Sequence, residues 1–383
     1  MKEKLIRFLA LTLACLMLLG AFSSILIHAS SVSLKDGAYA YGAGLNKEEI
    51  EQTKKLLGIK GNPTAIAVKG EDSKKYINEN NSDSVMISSI YAKSNKTNSI
   101  KVEVLTPLMI QKVTSLQYSN AAITAGLKSL DISVAAIRPV TGTSALTGVY
   151  KLAELAGQEI DVKRTEVANE EIQVINAIAK EHEDEDGFNK EALNKAVLEI
   201  KQDLVDKKEK GGDISSNQVA EVIQNVINNN NLNQVINQAN IEDLQVVFNN
   251  FINIDNLDLG LIKDQLNSLA KEAPKIAEKE LERVKDFLNT EEGKNFVNSL
   301  SNTFSKENLN SVLDSAKSAL DSPEVENILE KIKSGVSQEN IDKVIKGAGD
   351  TINNADSSGF FSSIGNFISN IFKSIADFFK SIF

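Results

Sequence analysis

The hydrophobic pattern of residues 100–156 predicts a strand, a helix, a second strand and a second helix. In residues 100–105 polar and apolar side chains alternate, which is the period expected of a strand with one buried face. Residues 130–137 alternate in the same way. Between these runs, apolar residues at helical spacing predict a helix that Thr114 caps and Gly126 ends. A strand, a helix and a strand at this spacing are typical of a parallel crossover.

The same reasoning extends the domain toward the N-terminus. Residues 46–57 predict a helix with Asn46 as its cap, and residues 64–68 predict a strand. Residues 85–91 are predicted to pair with residues 100–105 as a hairpin. We therefore expect an α+β fold, in which an N-terminal mixed α/β domain of about four strands with a βαβ crossover precedes a mostly helical C-terminal region.

Helical spacing dominates after Pro139, and the apolar positions form amphipathic stripes. Such helices are expected to bundle with one another or with a partner. Pro274 is predicted to lie in the first turn of one of them. The predicted segments are a signal peptide (1–29), a family-like α/β domain (30–157), a helical extension (158–210), a helical region (211–355), and a tether with an amphipathic helix (356–383).

The N-terminal residues have the layout of a secretory signal. A short basic stretch, residues 1–7, precedes a nearly unbroken apolar run over residues 8–27 and a small-residue end. We expect cleavage after Ala29 and an extracytoplasmic protein, either secreted or associated with the cell envelope. The alternative is an uncleaved signal that anchors the chain in the plasma membrane, because the apolar run is long enough to span a bilayer.

The loop from Arg138 to Thr147 is the predicted ligand position. It leaves the carboxyl end of a strand and opens a helix, which is a favoured ligand location in α/β folds. Neither a phosphate-binding P-loop nor a nucleophile elbow is present in its sequence. The alternative is a well-capped turn. The candidate ligand-binding residues are Arg138, Thr141, Thr143 and Ser144.

Three stretches of sequence carry a resemblance to a known family. They read YGAGLNKEEIEQTKKLLGI, TPLMIQKVTSLQYSNAAITAG and VAAIRPVTGTSALTGVYK. They resemble the YpuA-like family of secreted Gram-positive proteins, a domain of unknown function. The resemblance covers roughly residues 38–156 and weakens toward residue 228. It implies an exported protein that faces the envelope, and it brings no catalytic residue with it.

The composition of the chain argues against several classes of partner and of active site. A formal net charge of −10 argues against nucleic acid as a partner, and against binding anionic lipid through charge alone. The single cysteine, Cys15, lies inside the predicted signal, and His182 is the one histidine beyond it, which excludes zinc sites and histidine-based triads within one chain. The acidic stretch around His182 fails the ligand pattern of a calcium loop and predicts a solvated turn. We expect no metal, no cofactor and no enzymatic activity.

The last 25 residues predict an amphipathic helix with a wide apolar stripe. Serine, asparagine, lysine and aspartate residues form its opposite face. A helix of this length extends roughly 37 Å at 1.5 Å per residue. The side chains predicted to contact a membrane or a partner are Phe360, Phe361, Ile364, Phe367, Ile368, Ile371, Phe372, Ile375, Phe378, Phe379, Ile382 and Phe383.

Three environments can bury this stripe. A bilayer interface would take the apolar face and leave the polar face in water. The helical region of the same chain is the second environment, and another copy in a homo-oligomer is the third. We expect an exported, non-catalytic envelope protein whose tail associates with a membrane surface or an envelope protein. The alternative function is a small-ligand-binding protein or hydrolase that uses the loop from Arg138 to Thr147.

Overall fold

A computed structural model of the chain describes residues 32–182, 185, 188 and 190–291. Several predicted segments lie outside the described residues. These are the signal peptide, the part of the helical region beyond residue 291, the tether and the amphipathic tail helix. Most of the acidic stretch after His182 lies outside them as well.

A five-stranded mixed sheet forms the centre of the fold. The strands are β1 (Ala38–Gly42), β2 (Thr64–Val68), β3 (Ser89–Ser94), β4 (Ile100–Val104) and β5 (Leu130–Ala135). They follow the order β2-β1-β3-β5-β4. Strand β3 runs antiparallel to both of its neighbours, whereas β1 pairs in parallel with β2, and β4 in parallel with β5. Four carboxyl ends therefore meet at one edge of the sheet.

The α+β fold and the parallel crossover are confirmed, but the predicted hairpin is wrong. The strand predicted over residues 85–91 begins later, as β3, and β5 lies between it and β4. The short connection between β3 and β4 crosses the start of β5. There Asn95 Nδ2 donates to Asp131 Oδ1 at 2.9 Å, and the Leu130 N–H donates to the Ser99 carbonyl at 3.1 Å. The sequence reading also missed β1.

Nine helices lie in the described part of the chain. They are α1 (Lys47–Leu56), α2 (Gly70–Ile77), α3 (Ser115–Thr124), α4 (Thr143–Leu155), α5 (Val162–Glu181), α6 (Lys190–Gly211), α7 (Ser216–Asn229), α8 (Gln238–Ile252) and α9 (Leu259–Asn289). Asn46 and Thr114 cap α1 and α3, as predicted, and both form capping boxes in which side chain and backbone bond reciprocally.

The main core lies on one face of the sheet. There Ala40, Ile90 and Val134 pack with helices α3 and α4, and the same apolar cluster continues into the helical segments through Ile172 and Val222. A smaller cluster on the opposite face contains Tyr39, Leu57 and Ala135, packed by α1. The predicted segment boundaries near residues 157 and 210 stay predictions.

Helix α9 lies beside β4, the edge strand at one end of the sheet. Lys279 Nζ and Arg283 Nη2 contact the two carboxylate oxygens of Glu103 at 3.0 and 2.9 Å. The helix continues through Pro274, which was predicted to lie in a first turn. Proline has no N–H for the preceding turn, so packing on both sides, through Leu269 and Ala277, must hold the helix together there.

Candidate functional site

The predicted ligand loop lies where the parallel strands end. It leaves β5 and enters α4, so it shares an edge of the sheet with the loops that follow β1, β2 and β4. The four candidate residues sit along this loop, but they do not converge on one point. They form three separate contacts, described in turn below.

Arg138 is paired with the first turn of α1. Its Nη1 contacts Glu49 Oε1, and Glu49 also accepts a bond from the Asn46 N–H at 2.9 Å. This backbone bond, followed by the Arg138 guanidinium, lowers the pKa of Glu49. The sequence identifies Glu49 only as a favourable residue for a helix start. The structure shows that it joins the loop to α1.

Thr141 and Thr143 lie on either side of a glycine in the left-handed region. Their hydroxyl oxygens are 2.9 Å apart and exposed. Gly142 has φ +101°, and its carbonyl accepts a bond of 2.7 Å from the buried Tyr118 hydroxyl. A side chain at Gly142 would meet that hydroxyl, so the turn requires glycine. The two threonine hydroxyls form the exposed polar part of the loop.

Ser144 is buried and belongs to the packing between α4 and the start of β3. Its Oγ lies 2.6 Å from Ser88 Oγ and donates to the Ser88 carbonyl at 3.1 Å. Ser88 Oγ also accepts from the Ala145 N–H at 2.9 Å, which satisfies one of the first backbone donors of α4. Sequence reasoning missed Ser88, since nothing in its neighbourhood predicts a contact 56 residues away.

A second polar cluster is buried among α3, α5 and α6. Lys201 is 0% exposed, and its Nζ bonds Asn120 Oδ1 at 2.7 Å, Thr124 Oγ1 at 2.5 Å and Glu171 Oε2 at 3.0 Å. Asn120 Nδ2 donates to the other oxygen of Glu171. Burial lowers the pKa of Lys201. All three donors of the ammonium group have partners, which makes this cluster a structural tie among three helices.

A third polar contact joins α9 to the start of α3. The Ser115 N–H donates to Glu280 Oε1 at 3.1 Å, and the Ser115 hydroxyl contacts the same oxygen. A carboxylate is favoured there because the first backbone donors of a helix point outward with a positive dipole end. Glu280 is 1% exposed, so the contact is internal.

Neither a metal site nor a membrane span is found in the described part of the chain. Within the residues that the structure describes, no group of three or more His, Cys, Asp or Glu side chains has the arrangement needed to hold a metal ion. No helix in the same part of the chain has the length and hydropathy that a membrane span requires. The twelve predicted contact residues between Phe360 and Phe383 lie outside the described residues.

Comparison with known proteins gives a family and no activity. The family model described as "Protein of unknown function (DUF1002)" matches residues 41–269. "Uncharacterized protein YpuA" of Bacillus subtilis (strain 168) is 26% identical over 297 residues, which cover 74% of this chain and 93% of the relative. No solved structure matches the chain. These findings confirm the resemblance to a YpuA-like family of unknown function.

Proposed function

The chain belongs to the family described as "Protein of unknown function (DUF1002)", and from this premise we propose that it is an exported, non-catalytic protein of the cell envelope. In this proposal the α/β and helical body is a rigid support. The C-terminal amphipathic helix holds the molecule at a membrane surface. An envelope protein or a second copy is the alternative binding partner of that helix.

The main support for this proposal is that polar side chains of the candidate site are bonded to other side chains of the same molecule. Arg138 is held by Glu49, and Ser144 by Ser88, so two of the four predicted ligand contacts already stabilise the fold. The buried Lys201 is likewise bonded on all sides. A site for chemistry needs groups that remain available to a substrate. These contacts favour a binding or supporting role over a reaction.

A second observation concerns the helix that leads toward the tail. Gln265 Nε2 donates to the carbonyls of Asn98 at 2.6 Å and Leu127 at 2.9 Å. Further along α9, Glu280 meets Ser115, and Arg283 meets Glu103. These contacts attach α9 to β4, to α3 and to the loops beside them, so α9 belongs to the body that we propose as the support.

The sequence of residues 359–383 supports membrane association. Seven of the chain's fifteen phenylalanines lie there, and the spacing of the apolar residues predicts a stripe opposite a polar face. Burying a large apolar side chain contributes about 1.5–3 kcal/mol, so even partial burial of twelve would hold the segment at an interface. The polar face carries few charges, so we expect binding that depends little on salt.

Vesicle flotation tests this proposal. The mature chain, residues 30–383, and the same chain without residues 359–383 are mixed with vesicles of phosphatidylethanolamine and phosphatidylglycerol, and separately with phosphatidylcholine vesicles. Because neither carries the apolar signal run, we expect the mature chain to float with both and the shortened chain to remain below. Equal flotation of the two chains would remove the role proposed for the tail.

A matched pair of variants separates the apolar stripe from charge. Phe367→Asp with Ile371→Asp places two carboxylates in the stripe, whereas Asn366→Asp with Asn370→Asp places the same charge on the polar face. We expect the first pair to abolish flotation and the second to leave it nearly unchanged. If both pairs reduced flotation equally, charge and not the stripe would govern binding.

A further inference from the structure

Among the described residues, β2 is an edge strand, and no strand lies on its outer side. The opposite edge, β4, is flanked by α9 and by the ion pairs at Glu103. Strand β2 reads Thr-Ala-Ile-Ala-Val and contains no charged residue and no proline. Natural sheets usually protect such edges with charge, proline or a covering element. In β2 these protections lie at one position and at the end: Lys151 Nζ bonds the Ala67 carbonyl, and Pro63 precedes the strand. The outward groups of Ala65 carry no such protection and are suited to pairing.

The outward backbone groups of β2 can be assigned from its contacts. The Val68 carbonyl accepts from the Ala43 N–H at 2.9 Å, so Val68 faces the side of β1. Successive residues of a strand direct their N–H and C=O groups to opposite sides, which makes Ala65 and Ala67 face outward. The Ala67 carbonyl accepts a bond of 3.0 Å from Lys151 Nζ, in agreement with this assignment. The outward groups left for pairing are both groups of Ala65 and the N–H of Ala67.

We propose that β2 pairs antiparallel with β2 of a second copy, about a two-fold axis at Ala65. Each Ala65 N–H would then donate to the Ala65 carbonyl of the other copy, because residues at the centre of such a pair exchange both bonds. The two five-stranded sheets would join into one continuous sheet. The contact is isologous, with the same strand on both sides of the axis, as in most symmetric dimers.

The donors and acceptors on either side of Ala65 match in this register. Ala67 lies opposite Pro63, so the Ala67 N–H donates to the Pro63 carbonyl. Proline has no N–H to return, and the Ala67 carbonyl needs none because Lys151 already bonds it. This match of donors and acceptors favours a second copy, because an extended peptide without proline at that position would bring an N–H to a carbonyl that Lys151 already bonds.

The side chains are compatible with the same pairing. Residues 64 and 66 lie opposite each other across the axis, and Ala65 lies opposite its own copy. Lys69 lies opposite Gly61, and Lys60 opposite Gly70, so the register brings no two like charges together. Ala65 is exposed and Ile66 half-exposed, so both surfaces are accessible to the second copy.

A charge exchange at residue 65 tests the two-fold axis. Ala65→Lys and Ala65→Glu each place like charges opposite each other, and a one-to-one mixture of the two variants places opposite charges there. By sedimentation velocity of the full chain, we expect wild type to dimerise, and each variant alone to dimerise about fivefold more weakly or worse. The mixture is expected to recover at least the wild-type dimer.

Two controls make the result specific. Val246→Lys alters an exposed side chain on α8 and is expected to leave the dimer unchanged. Ala65→Pro removes the outward N–H at a position where an edge strand tolerates proline, and it is expected to abolish the dimer while the circular dichroism spectrum stays that of wild type. A monomeric wild type, a dimer indifferent to both charged variants, or a mixture that stays monomeric would each overturn the proposal.

Discussion

Replacing Lys201 with methionine gives a direct test of how the sheet and the helical segments are joined. Methionine keeps the length and apolar stem of lysine but removes the ammonium group that bonds α3 and α5. The Glu171 carboxylate, 2% exposed, would then keep the Asn120 amide as its partner from this cluster. Thr124 would lose the bond that it accepts from Lys201 and keep the bond of 3.1 Å that it donates to the Asn120 carbonyl. The substitution therefore leaves the Glu171 carboxylate buried without the ammonium group that neutralised its charge.

The expected cost follows from that burial. Removing one partner of a buried ion pair destabilises a protein by about 3–5 kcal/mol, because the remaining charge is uncompensated. At about 2–4 °C per kcal/mol, the conversion for domains of about 150–250 residues, that corresponds to a fall in melting temperature of about 6–20 °C. Adding Glu171→Leu to Lys201→Met removes the isolated charge. The double variant should therefore be more stable than Lys201→Met alone, despite carrying two changes.

Thermal and urea unfolding followed by far-ultraviolet circular dichroism measure these differences. Lys195→Met is the matched control, because Lys195 lies on the same helix, is largely exposed, and pairs with Glu199 on the surface. Such surface pairs contribute about 0–1 kcal/mol. The reasoning is refuted if Lys201→Met costs no more than Lys195→Met, or if Glu171→Leu adds its full separate cost to that of Lys201→Met.

Three further predictions follow from other contacts. Burial alone would lower the pKa of His182, but its bonds to Asn240 and Glu185, at 2.8 and 2.9 Å, outweigh that effect and raise the pKa. The contribution of these bonds to stability should therefore be complete below the unfolded pKa of about 6.5 and be lost as pH rises through the folded pKa. The difference in free energy of unfolding between wild type and His182→Gln, measured with urea, should therefore decrease from acidic to alkaline pH. A difference that increased with pH would contradict the predicted direction. Gly142→Ala should cost about 1–3 kcal/mol by thermal unfolding, since φ is +101° and the new Cβ meets the Tyr118 hydroxyl; an unchanged melting temperature would argue against the turn. Glu280→Leu should cost about 1–3 kcal/mol and speed hydrogen exchange at the start of α3, because the Ser115 N–H loses its acceptor; exchange equal to wild type would show that another group takes the place of Glu280.

Local sequence signals predicted the elements whose causes are local. The Asn46 and Thr114 caps each bond backbone donors within three residues, so the helix starts are encoded next to the helices they begin. The alternation in residues 100–104 and 130–135 likewise reflects one buried face within each strand. The parallel crossover could therefore be predicted from spacing alone.

The errors concern contacts between distant residues. A short connection favours neighbouring strands, but here its polar residues cross the start of β5, as the contacts of Asn95 with Asp131 and of Ser99 with Leu130 show. The β1 run Ala-Tyr-Ala-Tyr-Gly has only five residues, and its alanines and glycine are depleted in strands, so it does not stand out as one. Pairing with β2 and β3 on both sides stabilises it.

The candidate loop shows the same difference between what local sequence predicts and what distant residues determine. Its glycine and hydroxyl residues predicted both a turn and a ligand site, and the local sequence does not separate the two. The difference depends on Glu49 and Ser88, which reach the loop from other elements. The buried pair of Lys201 and Glu171 gave no sequence signal, since charged residues on amphipathic helices usually face solvent.

Fractionation of the native cells tests the central proposal of an exported envelope protein most directly. Wall, membrane, medium and cytoplasm are separated, the protein is located by immunoblotting, and its N-terminus is sequenced. We predict that the protein is absent from the cytoplasm, that it sediments with the membrane through residues 359–383, and that its sequence begins after Ala29. A cytoplasmic protein that retains residues 1–27 would contradict the account.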